Sequence, residues 1–406
     1  MGDRLLSRRR MAGSLAVLAA AGAAPGKASP AEPGCGQAGV AVRFEPGPAS
    51  SEWTPLQLPA DQHVRVQGRI AGAVVPSILD TGATITVVDQ SWAAALQLPV
   101  RDGFEARGLT APMNGGYADG LCIRIGAALF GPLTAGVLDL SGLKGATRQD
   151  IGLVLGQDLL GSVVVEIDPA RGRLRLHGRN EQGNWPGRRV TLRRTACRRH
   201  ALPIVLEGRD PVDAILDVGS DAPLYVSPQY AWLSGLMTQR KISTAITAGG
   251  EGLERSLVAT VSALGIAGVR FRNAPLIVPN RWNEPAPAVV GWPLLQPFRL
   301  VLDLGRDQAW LQPRPEALRD PLPRDRSGLG MRWVEGRLVI IHVAPGSPAE
   351  TIGLRPGQII TRIDGAPVTL GDPRLRGRLG LRPPGTAYDL TLADGGEARL
   401  VLADYY

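Results

Sequence analysis

Polar and apolar residues alternate with period two in several short stretches of this chain. Val64, Val66 and Ile70 are separated by Arg65, Gln67 and Arg69, and Arg173-Leu174-Arg175-Leu176 repeats the pattern. Period-two alternation marks a half-buried strand. Val163-Val164-Val165-Glu166-Ile167 is short and β-branched, and Asp168-Pro169-Ala170-Arg171-Gly172 after it supplies turn chemistry. Helical segments are expected only at 90–96 and 228–236. With Gly 51 and Pro 34 among 406 residues, the chain reads as all-β rather than as a helical bundle.

The pattern repeats. Residues 63–82 and 200–219 both begin with His and end in Asp-x-Gly, 137 residues apart. Leu153–Leu160 corresponds to Ala288–Leu295, with Gly156 and Gly291 135 residues apart. Glu166-Ile167-Asp168 and Val301-Leu302-Asp303 keep that offset, and Gly115-Gly116 and Gly249-Gly250 lie 134 apart. Four matches in one order predict two homologous β lobes, 51–180 and 181–312. Pro313, Pro315, Pro321 and Pro323 then predict a stiff linker over 313–326.

Charge and leader narrow the function classes. The net charge is +8, but only three cations are lysines and the arginines are spread along the chain. That spread argues against a nucleic-acid face. Residues 171–199 carry ten arginines against one acid, Glu181, which reads as a solvated interlobe strand and linker. Arg8-Arg9-Arg10, an Ala-rich apolar run and Ala21-Gly22-Ala23 describe a signal peptide over 1–23, followed by a flexible tether over 24–50. The Ser-Arg-Arg start looks like a twin-arginine signal, with an ordinary secretory signal as the alternative. The expectation is an exported, periplasmic protein. No apolar run reaches the roughly 18 residues of a membrane span. Export puts Cys35, Cys122 and Cys197 in an oxidising space with at most one internal disulfide; Cys122 with Cys197 is one pairing, and others stay open. Histidines and cysteines never cluster at metal-ligand spacing, so neither metal nor cofactor is expected.

The chemistry concentrates in Ile78-Leu79-Asp80-Thr81-Gly82-Ala83 and its partner Ile215-Leu216-Asp217-Val218-Gly219-Ser220. Hydrolysis of an amide needs a base for the water proton and an acid for the carbonyl oxygen. Two carboxylates sharing one proton supply both, because like charges roughly 3 Å apart cannot both ionise. Gly82 and Gly219 permit a tight turn beneath each acid, with their amides as donors.

With one Asp-Thr/Ser-Gly per lobe and a downstream apolar-apolar-Gly (Val154-Leu155-Gly156, Val289-Val290-Gly291), the sequence resembles the pepsin-like and retropepsin-like aspartic proteases over about residues 55–312. The resemblance implies Asp80 and Asp217 as the catalytic pair, a protein or peptide substrate, and a complete active site in one chain. It also implies that Thr81 hydrogen-bonds across the lobe interface. Val218 departs from the pattern, since it has the shape of Thr without the hydroxyl. Ser220 is expected to donate to Asp217, which would put the charge on Asp217 and the proton on Asp80. Met113-Asn114-Gly115-Gly116-Tyr117 and Ala248-Gly249-Gly250-Glu251-Gly252 look like flap tips, with Tyr117 placed to cover the cleft.

Residues 327–406 look like a PDZ domain. Gly328-Leu329-Gly330-Met331 is the expected carboxylate loop, offering N–H groups to a peptide C-terminus beside a sheet edge. Ser347, Pro348 and Glu350 form a helix-capping pattern. Gln358 stands where the family commonly has Asp, and 372–381 leaves the groove wall undefined. The leading reading is an exported, two-lobe aspartic endopeptidase with a PDZ domain. The alternatives are a pepsin-like peptide-binding protein that no longer cuts, and a PDZ adaptor of the cell envelope.

Overall fold

The computed structural model describes residues 19–20, 40–45, 50–58, 63–109, 112–147, 150–181, 183–196, 198–249, 252–369, 372, 375 and 379–406. Nearly all of the expected leader and tether lies outside these residues, as do Cys35, Cys197 and Gly250. Cys122 is disulfide-bonded, and both of its candidate partners lie outside the described residues. The chain is mostly strand, arranged in four sheets. Among the described residues no helix is long and apolar enough to cross a membrane.

The first lobe is built around a hairpin of Arg65–Ile70 and Ala73–Leu79. Val66 and Ile70 turn inward while Gln67 and Arg69 face solvent, as period-two alternation requires. Leu153–Leu155 lies parallel to Ala73–Leu79 and antiparallel to Val87–Asp89. The second lobe repeats this with Val212–Asp217, Ala288–Gly291 and Leu224–Val226. The apolar-apolar-Gly elements are therefore inner strands with a close approach at their end. A Cβ at Gly156 would stand 2.4 Å from the Ile85 carbonyl carbon, and one at Gly291 2.0 Å from Ala222 O. Asp89 caps the helix Gln90–Ala95, accepting from Ser91 N at 3.1 Å. The second expected helix is shorter than its pattern. It spans Pro228–Leu233, because Gly235 takes a left-handed φ of 65° that ends it.

A six-stranded sheet joins the lobes. At its centre Val163–Asp168 pairs with Phe298–Asp303, with Glu166 opposite Val301, and every residue of Val163–Asp168 is buried. These two strands are each other's repeat, so the pairing sits on the pseudo-twofold axis. Glu166 accepts hydrogen bonds from Arg299 Nε of the second lobe at 2.9 Å and faces His177 Nε2 at 2.9 Å. Burial pushes its carboxyl up, but His177 and Arg299 outweigh that and hold it below the usual range. The arginine-rich 171–199 stretch is folded rather than merely solvated. Arg171 and Arg173 pair with Asp168, Arg194 with Asp307 and Arg199 with Glu284.

The C-terminal sheet carries Leu329–Val334 at its edge, paired only with Arg337–Val343 along the strand path. Ser347 caps Pro348–Thr351, and Glu350 reaches back to Gly346 N at 2.7 Å. The 313–326 segment is packed at its end. Arg324, nearly buried, donates to Thr260 Oγ1 at 2.6 Å and to Tyr406 O at 3.1 Å, tying the second lobe to the C-terminus.

Glu166→Gln tests the interlobe tie. It leaves Arg299 without its buried anion and should cost about 3 kcal/mol in urea unfolding at pH 7. A depressed carboxylate contributes stability above its unfolded pKa and loses it as pH falls. The gap to wild type should therefore close below about pH 4.

Candidate active site

Asp80 directly follows the strand Ala73–Leu79, Asp217 is the last residue of Val212–Asp217, and both are fully buried. Asp80 N donates to Leu155 O at 3.1 Å, which ties the acid to the apolar-apolar-Gly strand. Each carboxyl lies over the glycine of the opposite loop. A Cβ at Gly82 would meet Asp217 Oδ2 at 2.7 Å, and one at Gly219 would meet Asp80 Cγ at 2.6 Å. Any larger residue at either position would push the lobes apart.

The two acids are not equivalent. Asp80 Oδ1 accepts from Gly82 N at 2.8 Å and Ala83 N at 2.9 Å. Asp217 Oδ1 accepts from Gly219 N at 2.9 Å. Ser220 Oγ meets no hydrogen-bond partner among the described residues, and Ser220 N turns to the Asp217 carbonyl at 3.4 Å. The expected donation from Ser220 to Asp217 is not made; the second donor at the pair is the Ala83 backbone amide, on Asp80. Burial raises both carboxyls, and repulsion from Asp80 lifts Asp217 well above the usual range. The guanidinium of Arg199, fully buried and paired with Glu284, opposes part of this shift for both acids.

The loops are joined across the interface on one side. Thr81 Oγ1 donates to Leu216 O at 2.7 Å and accepts from Val218 N at 3.0 Å. Val218 is buried and has no hydroxyl with which to return either bond. Gln157, which the sequence pattern left unassigned, reaches the same loop and donates from Nε2 to Thr81 O at 2.5 Å.

The first hairpin departs from expectation. Arg107 pairs with Pro112 and Phe104 with Gly115, so Gly115-Gly116 lie inside the strand Pro112–Ile125 and not at a tip. The glycines serve strand approach rather than turning: a Cβ at Gly115 would stand 2.1 Å from Val137 O. Tyr117 is buried edge-on against Phe104 at 5.0 Å rather than lying at a tip. Leu109 lies two residues beyond the strand Val100–Arg107. It packs into a second-lobe cluster of Ile215, Ala222, Tyr225, Ala286 and Val289, and its carbonyl accepts from Asn283 N at 2.9 Å. In the second lobe Gly249 pairs with Gly252 at the end of its hairpin.

In the C-terminal domain, two amides of Gly328–Met331 are already engaged. Gly328 N donates to Asp325 Oδ2 at 2.7 Å and Leu329 N to Ser327 Oγ at 3.0 Å. The second-lobe hairpin docks beside the loop. Thr244 Oγ1 lies 3.0 Å from His342 Nε2, and a Cβ at Gly330 would stand 3.0 Å from Ile246 Cγ1. No group of His, Cys, Asp and Glu suited to a metal occurs among the described residues.

The aspartyl protease family model matches residues 66–159, which include the Asp80 loop, the first hairpin and Gly156. A PDZ domain model matches residues 339–374. The chain thus combines an aspartyl-protease-type domain with a C-terminal PDZ domain. Asp217 lies beyond the first match, and its place in the site rests on the repeat and the paired geometry. No curated protein matches the chain.

Substitution of Asp217, whose carboxyl is raised the further of the two, is informative for stability. An acid whose pKa is raised on folding stabilises at low pH and loses that contribution as pH rises through its folded pKa. Asp217→Asn mimics the neutral acid. Between pH 5 and about 8 its Tm should fall less than that of wild type, and at the upper end it should be at least as stable. A steeper fall in the variant would place the proton elsewhere.

Proposed function

We propose that this chain is an aspartic endopeptidase in which Asp80 and Asp217 share one proton and activate water. The observation that carries the reading is the mutual packing of each carboxyl on the opposite glycine, which makes the two acids one buried unit. Ionised Asp80 takes a proton from the attacking water. Asp217 gives its proton to the carbonyl oxygen, so the amide carbon becomes a tetrahedral diol. Asp80 then gives a proton to the nitrogen while ionised Asp217 takes one back from a diol hydroxyl, so the C–N bond breaks, the acid and the amine leave, and the pair is restored. Because both acids are buried, a substrate reaches them only when the hairpin carrying Leu109 lifts from the second lobe.

The same reading takes residues 1–23 as a signal peptide and the mature protein as periplasmic. It assigns the PDZ domain to peptide C-termini, received at Gly330 and Met331 beside the edge strand Leu329–Val334. Val218 favours a second reading, in which the lobes bind peptides without cutting them.

Digestion of a denatured protein mixture, with and without a pepstatin-type inhibitor, separates the two. Asp80→Asn and Asp217→Asn should each remove nearly all cleavage, and the double variant should lose little more, because the acids act as a unit. Activity should decline as pH rises through the upper apparent pKa of the pair. Peptides that bind and survive intact would support the second reading. For the PDZ domain, a peptide with a free C-terminal carboxylate should bind far more tightly than its amide, and equal affinities in a titration would remove that assignment.

A further inference from the structure

Gln157 is held twice to the Asp80 loop. Its backbone N–H donates to Ala83 O at 2.8 Å, and its side-chain Nε2 donates to Thr81 O at 2.5 Å. A carbonyl only accepts, so this bond fixes the amide and aims Oε1 outward. Oε1 meets His200 Nδ1 of the second lobe at 2.8 Å and, as an amide oxygen, accepts from it. His200 Nε2 lies 2.9 Å from Asp307 Oδ1, and Arg194 Nε donates to that same oxygen at 2.6 Å. The His200 side chain is 4% exposed and that of Asp307 40%. A continuous line of contacts therefore runs from the surface of the second lobe to the loop beneath Asp80.

The repeat breaks its symmetry at this point. Trp292 is the counterpart of Gln157, and its N–H makes the corresponding backbone bond to Ser220 O at 2.9 Å. Its indole is buried in the apolar core and offers no amide to the Val218 loop. The extra side-chain tie thus occurs on the first-lobe loop. That loop is also where a hydroxyl at position 218 would bind: by the repeat, a Thr there would face Leu79 O and Thr81 N.

We infer that Gln157, His200 and Asp307 form a cross-lobe strut that substitutes for the half of the interlobe grip Val218 cannot make, and so position Asp80 for proton sharing; as a statement about catalysis this rests on the endopeptidase reading. The three are positioning residues, since none touches the reacting atoms. The strut and a hydroxyl at 218 do the same work, so each should matter most when the other is absent.

The test is a double-mutant cycle in the full chain, assayed on fluorescein-labelled denatured casein. Gln157→Met keeps the volume and removes both polar atoms. It should lower kcat roughly tenfold, the effect of one lost buried hydrogen bond with its desolvated carbonyl, and leave KM nearly unchanged. Val218→Thr should restore most of the loss in Gln157→Met and gain far less in the wild type, which already has the strut. Wild-type kcat in Gln157→Met, or the same factor from Val218→Thr in both backgrounds, would overturn the inference. Should Gln157→Met fail to fold, Gln157→Glu keeps the shape and loses the donor to Thr81, and it carries the same comparison. Hydrogen exchange of the peptide spanning Asp80–Ala83 gives a readout free of activity. It should quicken in Gln157→Met and slow again on adding Val218→Thr. If the wild type cuts nothing, the endopeptidase reading falls while exchange still decides the strut, and unchanged exchange would sink it.

Discussion

Two buried carboxyls facing each other across the lobe interface are the constraint around which the rest is arranged. Neither can be ionised in the presence of the other's charge without a large electrostatic cost, so one proton must stay. That demand fixes local chemistry and long-range architecture together. Locally, only glycine fits at positions 82 and 219, because each opposing carboxyl sits where a Cβ would be. At long range, the lobes must be held in register. The central pairing of Val163–Asp168 with Phe298–Asp303, pinned by Glu166 and Arg299, supplies that register.

The fold is a duplication, yet its function depends on where the copies differ. Symmetric carboxyls would give two equal sites for one proton. Here two amides favour the charge on Asp80, and one amide plus repulsion favours the proton on Asp217. The loops beneath are also unequal, with Thr81 bridging to Leu216 and Val218 while Val218 returns nothing. Gln157 and Trp292, equivalent in the repeat, then diverge in chemistry at the same place. The hairpins diverge as well: the first crosses to the second lobe through Leu109, and the second lies against the PDZ loop through Thr244 and Ile246.

Much of the core was legible because it depends on local rules. Alternation at 64–70, the β-branched run at 163–167 and the apolar-apolar-Gly elements each encode a strand and its burial in a few adjacent residues. What escaped depends on distant atoms. Gly115-Gly116 carries a turn composition, but Gly115 answers the Val137 carbonyl 22 residues downstream and Gly116 the Val100 side chain of the preceding strand, so both lie inside a strand instead. Ser220 has a hydroxyl in the right sequence position, but the donor that reaches Asp80 is a backbone amide no residue type announces. Gln157 and His200 are unremarkable in sequence and meet only because the lobes pack. The turn-rich 313–326 segment hides Arg324, whose partners come from three separate parts of the chain.

The placement of the PDZ domain follows from the same physics of buried polar groups. Arg324 is nearly buried, so its guanidinium must be satisfied, and its partners are Thr260 and Asn273 of the second lobe and the C-terminal Tyr406. Arg326 beside it pairs with Asp404. Separating the domain from the lobe would therefore expose or orphan a charged group, which opposes free tumbling on a linker. The contact face on the lobe is the hairpin strand Ser243–Gly249, and the face on the domain is Gly330, His342 and Pro345. A ligand approaching Gly330 thus meets Ile246 before it meets open solvent. The PDZ edge at Gly330 and the second-lobe hairpin are in this way in direct contact, because the Ile246 side chain stands between them.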